Sequence, residues 1–270
     1  MTDGFVYTGP DGWPIAGETV GSGPLVIMLH GGGPDHHSMR PLADRISDRY
    51  RVALPDIRGY GRSVCPDPAL HRWQQYVDDV IGIMEVLGAK EADLIGAGLG
   101  GTVALRTCLA HPTSVRTAVI ISVEDVEDDE AKRAETQLMD QFAQLVQTRG
   151  IAAGWDLFLP QLQPLIAELV REAIPRADAA SVAAAATIGH DRAFATPDEL
   201  APITTPTLII PGDDERHPTA LAQRVADVMP AARVASVRMS RQLRNAEDMA
   251  QAFAPHIRAF LLDAPLPRPS

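Results

Sequence analysis

The sequence predicts an α/β protein, with a mostly parallel sheet wrapped by helices and one all-helical insertion. Three observations predict it. Short apolar runs alternate with helix-like segments from residue 24 to residue 122, which is typical of parallel strands joined by helices. An Ala/Leu/Gln-rich stretch without a strand candidate follows, and the alternation resumes near residue 203.

The individual elements follow from periodicity and turn signals. Residues 5–8 and 13–20 flank the turn sequence GPDG and predict a hairpin. Further strands are predicted at residues 24–29, 50–56, 92–98, 116–122, 205–210 and 232–237. The helices that alternate with these strands are predicted at residues 38–47, 74–88, 99–112, 219–228 and 247–262.

The all-helical stretch is predicted to be a cap, covering residues 126–200, on a core made of residues 1–125 and 201–270. Its helices are expected near residues 129–148, 155–174 and 179–189, with Pro160 and Pro164 interrupting the second. A cap in this position would cover the carboxyl ends of the strands, where α/β proteins bind their ligands.

Composition narrows the classes of partner. The 270 residues carry a formal net charge of −11, which disfavours nucleic acid and anionic membranes as partners. No segment has the pattern of a signal peptide or of a membrane span, so a cytoplasmic location is expected. Cys65 and Cys108 make no disulfide framework, and nothing has metal-ligand spacing, so neither metal nor cofactor is expected. A small molecule is the expected partner, and monomer and homodimer both stay open.

The stretch LIGAGLGGT has two interpretations. It matches the dinucleotide fingerprint G-x-G-x-x-G through Gly96, Gly98 and Gly101. It also matches a G-x-S-x-G nucleophile elbow in which the serine is replaced by Gly98. A dinucleotide site expects an acidic residue about twenty positions later, whereas Glu124 and Asp125 lie about thirty positions on. The spacing therefore favours the elbow.

Three further motifs carry a family resemblance. HGGGP at residues 30–34, DIRGYGRS at 56–63 and PGDDE at 211–215 each follow a predicted strand. In this order the chain resembles the α/β-hydrolase family, particularly its capped members of esterase, epoxide-hydrolase and proline-iminopeptidase type. The resemblance covers almost the whole chain and implies an α/β-hydrolase fold with an inserted helical cap. LIGAGLGGT stands where that family has its nucleophile elbow.

The resemblance also implies a Ser-His-acid triad, which this sequence departs from. Gly98 stands at the nucleophile position. The histidine position falls on Leu243, or on Gln242 with a one-residue slip, while Asp214 or Glu215 retains the acid. The triad is therefore predicted to be degenerate, without its nucleophile and its histidine.

Other parts of the site are expected to remain. The resemblance implies an oxyanion hole formed by the backbone N–H groups of Leu99 and of Gly32 or Gly33. His37 follows the oxyanion loop and His217 follows the acid loop. Together with Asp214 and Glu215, these histidines are the candidate catalytic acids and bases.

Substrate-binding candidates come from two other places. Glu124 and Asp125 follow the strand that enters the cap and are candidates to face the cavity. Arg241 lies beside the lost histidine position and could bind an acidic group of a substrate. Asp125 and Arg241 are therefore predicted to bind substrate.

The function predicted from these residues is cofactor-free, non-hydrolytic chemistry on a small, largely apolar carbonyl compound, as in a lyase, cyclase or isomerase. A non-catalytic binder or pseudoenzyme and a hydrolase with relocated catalytic residues remain open. Convergence of His37 or His217 with Asp214 or Glu215 on a cavity beside Gly98 favours an enzyme. A collapsed or wholly apolar cavity favours the binder.

Overall fold

The computed structural model describes residues 2–263, and the eight strands within that range form one sheet in the order β1-β2-β4-β3-β5-β6-β7-β8. β1 and β2 form an antiparallel hairpin, β2 is antiparallel to β4, and all other pairs are parallel. The bounds are β1 Thr2–Thr8, β2 Pro14–Val20, β3 Leu25–Leu29, β4 Arg51–Pro55, β5 Ala92–Ala97, β6 Val115–Ile121, β7 Thr207–Ile210 and β8 Ala232–Val234.

Helices cover both faces of this sheet. Their bounds are α1 Arg40–Asp44, α2 Trp73–Val86, α3 Leu99–Ala110, α4 Asp129–Arg149, α5 Ile151–Trp155, α6 Pro164–Ala173, α7 Ala179–Ala185, α8 Thr219–Val228 and α9 Ala246–Asp263. One apolar layer contains α2, α3 and α8, and the other contains α1 and α9. Every residue of β3 and β7 is buried, as expected for strands covered on both faces. None of the helices within residues 2–263 combines the length and hydrophobicity needed to cross a membrane.

The segment between β6 and β7 adds no strand to the sheet within the described residues. We call α4 to α7 and the short turns up to Leu200 the helical insertion. Asp128 caps α4 by accepting from the backbone N–H groups of Glu130 and Ala131. In the range 155–174, where one helix interrupted by Pro160 and Pro164 is predicted, Trp155 ends α5 and the α-helix α6 runs from Pro164 to Ala173. Proline suits the first turn of a helix, which explains why α6 begins at Pro164.

The connection from β5 to α3 is a sharp turn centred on Gly98. Its backbone has φ +50° and ψ −118°, a region that glycine adopts without steric cost. A Cβ atom on Gly96 would lie 2.2 Å from the carbonyl oxygen of Gly100, so the strand and helix can approach this closely only with glycine. Gly96 is thus required by the close packing of the turn, and Gly98 adopts its positive φ without strain.

Candidate active site

A cavity of about 170 Å³ lies where the parallel strands end. Residues following β3, β5, β6, β7 and β8 all line it, among them Gly32, Gly98, Glu124, Asp214 and Met239. The helical insertion contributes the rest of the lining. This is the usual place for a ligand in an α/β sheet.

The lining combines an apolar wall with a charged floor. The wall comes from the insertion and includes Phe142, Trp155 and Phe158, whose ring centroids lie 5.0 to 5.6 Å apart. The floor contains the ionisable residues Glu124, Asp125, Lys132, Glu135, Asp214, Arg216 and His217. The cavity therefore suits a molecule with one apolar part and one polar part.

The carboxylate of Glu124 lies directly beside Gly98. A Cβ atom on Gly98 would lie 2.9 Å from Oε1 of Glu124. The other oxygen, Oε2, accepts hydrogen bonds from Nε of Arg216 at 2.9 Å and from Nε2 of His217 at 3.1 Å. The carboxylate thus occupies the space where a side chain at position 98 would begin, with Oε1 turned towards that glycine.

His217 and Asp214 come from the same loop after β7. Nδ1 of His217 lies 2.9 Å from Oδ1 of Asp214, which also accepts from the backbone N–H of His217 at 2.8 Å. Oδ2 of Asp214 accepts from Nε2 of Gln163, the residue before α6, at 2.9 Å. A chain of hydrogen bonds therefore runs from Asp214 through His217 to Glu124 and ends beside Gly98.

The charges of this chain follow from its hydrogen bonds. Burial alone would raise the pKa of Glu124, but Arg216 and His217 lower it to about 2. Burial alone would lower the pKa of His217, but the hydrogen bonds to Asp214 and Glu124 raise it to about 9. At neutral pH the chain therefore consists of a carboxylate, an imidazolium and a second carboxylate.

The pKa of Asp125, the next residue, is shifted in the opposite direction. Burial raises its pKa, and the adjacent Glu124 carboxylate raises it further, to about 8. Its Oδ2 accepts a hydrogen bond from Oγ1 of Thr102 at 2.7 Å. Two neighbouring carboxyl groups in one cavity thus hold different protonation states at neutral pH, one ionised and one neutral.

Two residues that are candidates for an oxyanion hole, Gly32 and Leu99, line the same cavity. Leu99 is the first residue of α3, so its N–H has no acceptor within the helix. Gly32 lines the cavity, whereas Gly33 lies against Trp155 and Val170 of the insertion. These donors beside the Glu124 carboxylate would suit the carbonyl oxygen of a ligand.

Arg216 connects the site to the helical insertion. Its guanidinium donates to Glu124 and, at 2.9 and 3.2 Å, to the carboxylate of Glu135 on α4. A second connection joins Arg176 to Asp35, in the loop after β3, through hydrogen bonds of 2.6 and 3.1 Å. Ion pairs therefore hold the insertion against two loops that border the cavity.

The structure does not bring His37 to the cavity, which corrects the sequence prediction. Asp35 accepts from the backbone N–H of His37 and begins a short 3-10 turn. That turn directs His36 inward, where Nδ1 lies 2.7 Å from Oδ1 of Asp56, and leaves the His37 side chain 57% exposed. His37 consequently faces solvent.

Four other predicted residues also lie outside the cavity. Glu215, Arg241 and Gln242 are exposed, and Leu243 packs on the apolar layer of α9. The loop that carries Arg241, Gln242 and Leu243 reaches the cavity at Met239 instead, because the backbone N–H of Met239 donates to the carbonyl of Pro211 at 2.9 Å. The position aligned with the family histidine is therefore not the one that meets the cavity.

Sequence reasoning did not single out the centre of this site. The sequence indicates Glu124 only as a residue that could face the cavity, and its motifs give no role to Arg216. The available signals were the acidic pair that ends a buried strand and the arginine beside His217 in GDDERHP. Which of these side chains turns inward depends on the path of both loops, which periodicity does not encode.

One further group has metal-binding residue types. Among the described residues, Asp35, His36 and His37 offer ligand atoms within 4.8 Å of one another. Asp35 already pairs with the Arg176 guanidinium and His36 with Asp56. The fixed positive charge of Arg176 would repel a metal ion bound beside it, so this group fits a structural role better.

The fold and the cavity together define an α/β protein with an enzyme-like site at the ends of its strands. The chain belongs to the alpha/beta hydrolase family, whose profile matches residues 26–256. This family membership rules out the dinucleotide interpretation of LIGAGLGGT, which lies at the elbow between β5 and α3.

Individual relatives agree at this level. The chain is 33% identical to a 2-hydroxymuconate semialdehyde hydrolase of Pseudomonas sp. strain CF600 over 104 residues, 37% of each protein. The alignment thus spans little more than a third of that relative. A hydrolase from Pseudomonas aeruginosa PA01 superposes with a TM-score of 0.82 at 21% identity, covering 96% of this chain and 98% of that one. The bottromycin epimerase BotH superposes with a TM-score of 0.72 at 21% identity, covering 96% and 99%. The two relatives named hydrolases, like the family itself, are enzymes.

Proposed function

We propose that this protein is a cofactor-free enzyme that transfers protons on a small, largely apolar carbonyl compound, as a lyase, cyclase or isomerase does, without an acyl-enzyme. One observation carries the proposal: the buried carboxylate of Glu124 lies beside Gly98, at the N-terminus of α3. A carboxylate next to backbone donors suits removal of a proton from the carbon beside a carbonyl, because the donors stabilise the negative charge that develops on oxygen.

The substrate would lie between the two parts of the cavity lining. Its apolar part would pack on the aromatic wall of Phe142, Trp155 and Phe158. Its carbonyl oxygen would accept hydrogen bonds from the N–H groups of Leu99 and Gly32, which serve as the oxyanion hole. This orientation brings the carbon beside the carbonyl towards Glu124.

Proton removal would then use the free oxygen of Glu124. Oε1 takes the proton from carbon, and the electron pair of the C–H bond moves into the carbonyl group as an enolate. Arg216 and His217 hold Oε2 and fix the direction of Oε1. His217 is an imidazolium at neutral pH, so Asp214 and His217 position the base and are not themselves the base.

The charged floor supports catalysis over passive binding. A carrier for an apolar molecule does not need the buried carboxylate of Glu124 and the partly buried imidazolium of His217, whose desolvation costs free energy. Perturbed titratable groups that converge on one cavity are typical of active sites. BotH, which shares this fold and is named an epimerase, indicates that the fold is compatible with reactions other than hydrolysis.

Exchange of protons with solvent tests the proposal directly. The probe is 1-phenylpropan-2-one in deuterium oxide, and loss of the proton signals beside its carbonyl is followed by NMR. Glu124→Gln is expected to lower the exchange rate by about 1,000-fold. The matched control is Glu215→Gln, which changes an exposed acid of the neighbouring loop and should exchange like the wild type. Wild-type exchange no faster than that of Glu124→Gln rejects the proposal.

A hydrolase with relocated residues is the second candidate, favoured by the His217–Asp214 pair beside the elbow. In that case the pair would activate water against an ester. Nitrophenyl ester hydrolysis that survives the combined changes Asp214→Ala, Glu215→Ala and His217→Ala excludes this mechanism. Ester hydrolysis abolished by those changes, without proton exchange in the wild type, favours it over proton transfer.

A further inference from the structure

Asp125 has a constrained position that the proton-removal step does not use. It lines the cavity directly after Glu124, and its backbone has φ +60°, a strained conformation for a residue other than glycine. Thr102 donates to its Oδ2 at 2.7 Å, so Oδ1 is the oxygen that remains for another partner. Backbone strain that places a carboxyl group in a cavity indicates a role for that group there.

We infer that Asp125 is the proton donor of the site and that the reaction is a proton shift within one molecule: Glu124 removes a proton from one carbon and Asp125 delivers a proton to another. The inference rests on the proposed function and narrows it to isomerisation. It makes Asp125 a catalytic residue, where sequence reasoning expected it only to bind substrate.

The surroundings of Asp125 support a neutral carboxyl group. Three charged groups act on it: Glu124, Arg216 and Glu127. Arg216 donates to Glu124 and not to Asp125, and Glu127 pairs with Lys132 at 3.2 Å. Burial and the Glu124 carboxylate raise the pKa of Asp125 by more than Arg216 and the Thr102 hydroxyl lower it, so Asp125 keeps its own proton at neutral pH.

The reaction balances without any further reactant. The C–H bond beside the carbonyl breaks, its electron pair forms the enolate, and the proton bonds to Oε1 of Glu124. A β,γ-unsaturated ketone then gives a dienolate, whose far carbon takes the proton from Oδ1 of Asp125. The product is the conjugated ketone. The enzyme is reset when Glu124 loses its proton and Asp125 gains one, with no leaving group and no change of oxidation state.

Two reactions measured side by side separate this inference from the proposed function. The first is proton exchange of 1-phenylpropan-2-one, which needs only the base. The second is conversion of cyclohex-3-enone to cyclohex-2-enone, followed by ultraviolet absorbance, which needs both groups. Asp125→Asn keeps the size of the side chain but removes its acidic proton. It is expected to slow isomerisation about 100-fold and to slow exchange far less, so that the ratio of the isomerisation rate to the exchange rate falls by about tenfold or more.

The wild-type pH profile provides a measurement that does not depend on any variant. Isomerisation should fall as the pH rises through about 8, while exchange should not. Isomerisation by Asp125→Asn at the wild-type rate overturns the inference, and so does an equal loss of both reactions, which would indicate a structural role. Wild-type exchange without isomerisation also overturns it and leaves the proposed function standing. Absence of exchange overturns both.

Discussion

The carboxylate of Glu124 lies in the volume that a side chain at position 98 would need. Oε1 of the Glu124 carboxylate lies 2.9 Å from where a Cβ atom on Gly98 would stand, closer than nonbonded carbon and oxygen normally approach. The carboxylate cannot simply move aside, because Arg216 and His217 both hold its second oxygen. A side chain at position 98 would therefore require the Glu124 carboxylate to shift and would disturb these two contacts.

Restoring the side chain at the elbow should damage the site. We expect Gly98→Ala and Gly98→Ser to displace Glu124, to abolish proton exchange and to lower the free energy of unfolding by about 1–3 kcal/mol. Gly98→Ser should gain no ester hydrolysis, since Nε2 of His217 donates to Glu124. The control is Gly88→Ala, at φ +71° with no atom within 4 Å of the new Cβ. Equal stability losses at the two glycines, measured by chemical denaturation, would contradict the contact.

The pKa of Asp125 predicts a pH effect on stability. Its pKa is about 8 in the folded protein against an ordinary value of 3.8, so the folded state binds the proton more tightly. Stability from this group is therefore present at low pH and lost as the pH rises towards 8. Asp125→Asn should flatten the denaturation profile between pH 4 and pH 8 and be more stable than the wild type at pH 9, by about 1 kcal/mol or more. A variant less stable at every pH speaks against a buried neutral acid.

His217 should affect the free energy of unfolding over a higher pH range than Asp125 does. Its pKa is raised from 6.5 to about 9, so its contribution is fully present below pH 6.5 and lost as the pH rises through 9. His217→Gln should lower the free energy of unfolding at pH 6 by up to about 3 kcal/mol. Near pH 10 the variant and the wild type should converge. A difference that does not change with pH would mean that His217 stabilises the fold only by packing.

Arg216 should couple the helical insertion to the base. Arg216→Met removes both the Glu135 bridge and one donor to Glu124. We expect faster amide hydrogen exchange in α4 and a higher pKa for the base in the pH profile of proton exchange. Arg192→Met is the matched control, because it breaks an exposed pair with Asp129 on the same helix but away from the cavity. Identical effects of the two variants would argue against the coupling.

Fluorescence should report occupancy of the apolar wall. Trp155 lines the cavity and lies against Phe142. Saturating 1-phenylpropan-2-one is therefore expected to change the tryptophan emission, and Trp155→Phe should remove most of the change. Trp13→Phe, a substitution outside the cavity lining, should keep it. Trp73 also lines the cavity, so a response that persists in full when Trp73→Phe and Trp155→Phe are combined would place the ligand elsewhere.

The fold could be predicted because buried strands and helices require apolar residues at regular positions in the sequence. The continuous apolar runs of β3 and β7 have no solvent-facing side, and the last helix keeps its apolar spacing from Ala246 to Asp263. Asp214 and His217 could be found for a local reason, since they are three residues apart and form a hydrogen-bonded turn.

The remaining site residues depend on contacts between distant segments. Glu124 meets Arg216 across 92 positions of sequence, and no local pattern specifies that pairing. His37 is directed outward by a hydrogen bond from its own backbone to Asp35, which a motif comparison does not consider. Alignment with the family's last helix places the histidine position at Leu243, whereas a backbone hydrogen bond to Pro211 brings Met239 to the cavity.

The acid and the histidine reside on a single short loop after β7. The connection between β8 and α9 therefore supplies none of the proposed reacting groups, and its contribution to the cavity lining is Met239. Replacing that connection should change the substrate specificity without moving the proposed reacting groups. An engineer seeking new substrates for this scaffold would diversify there first.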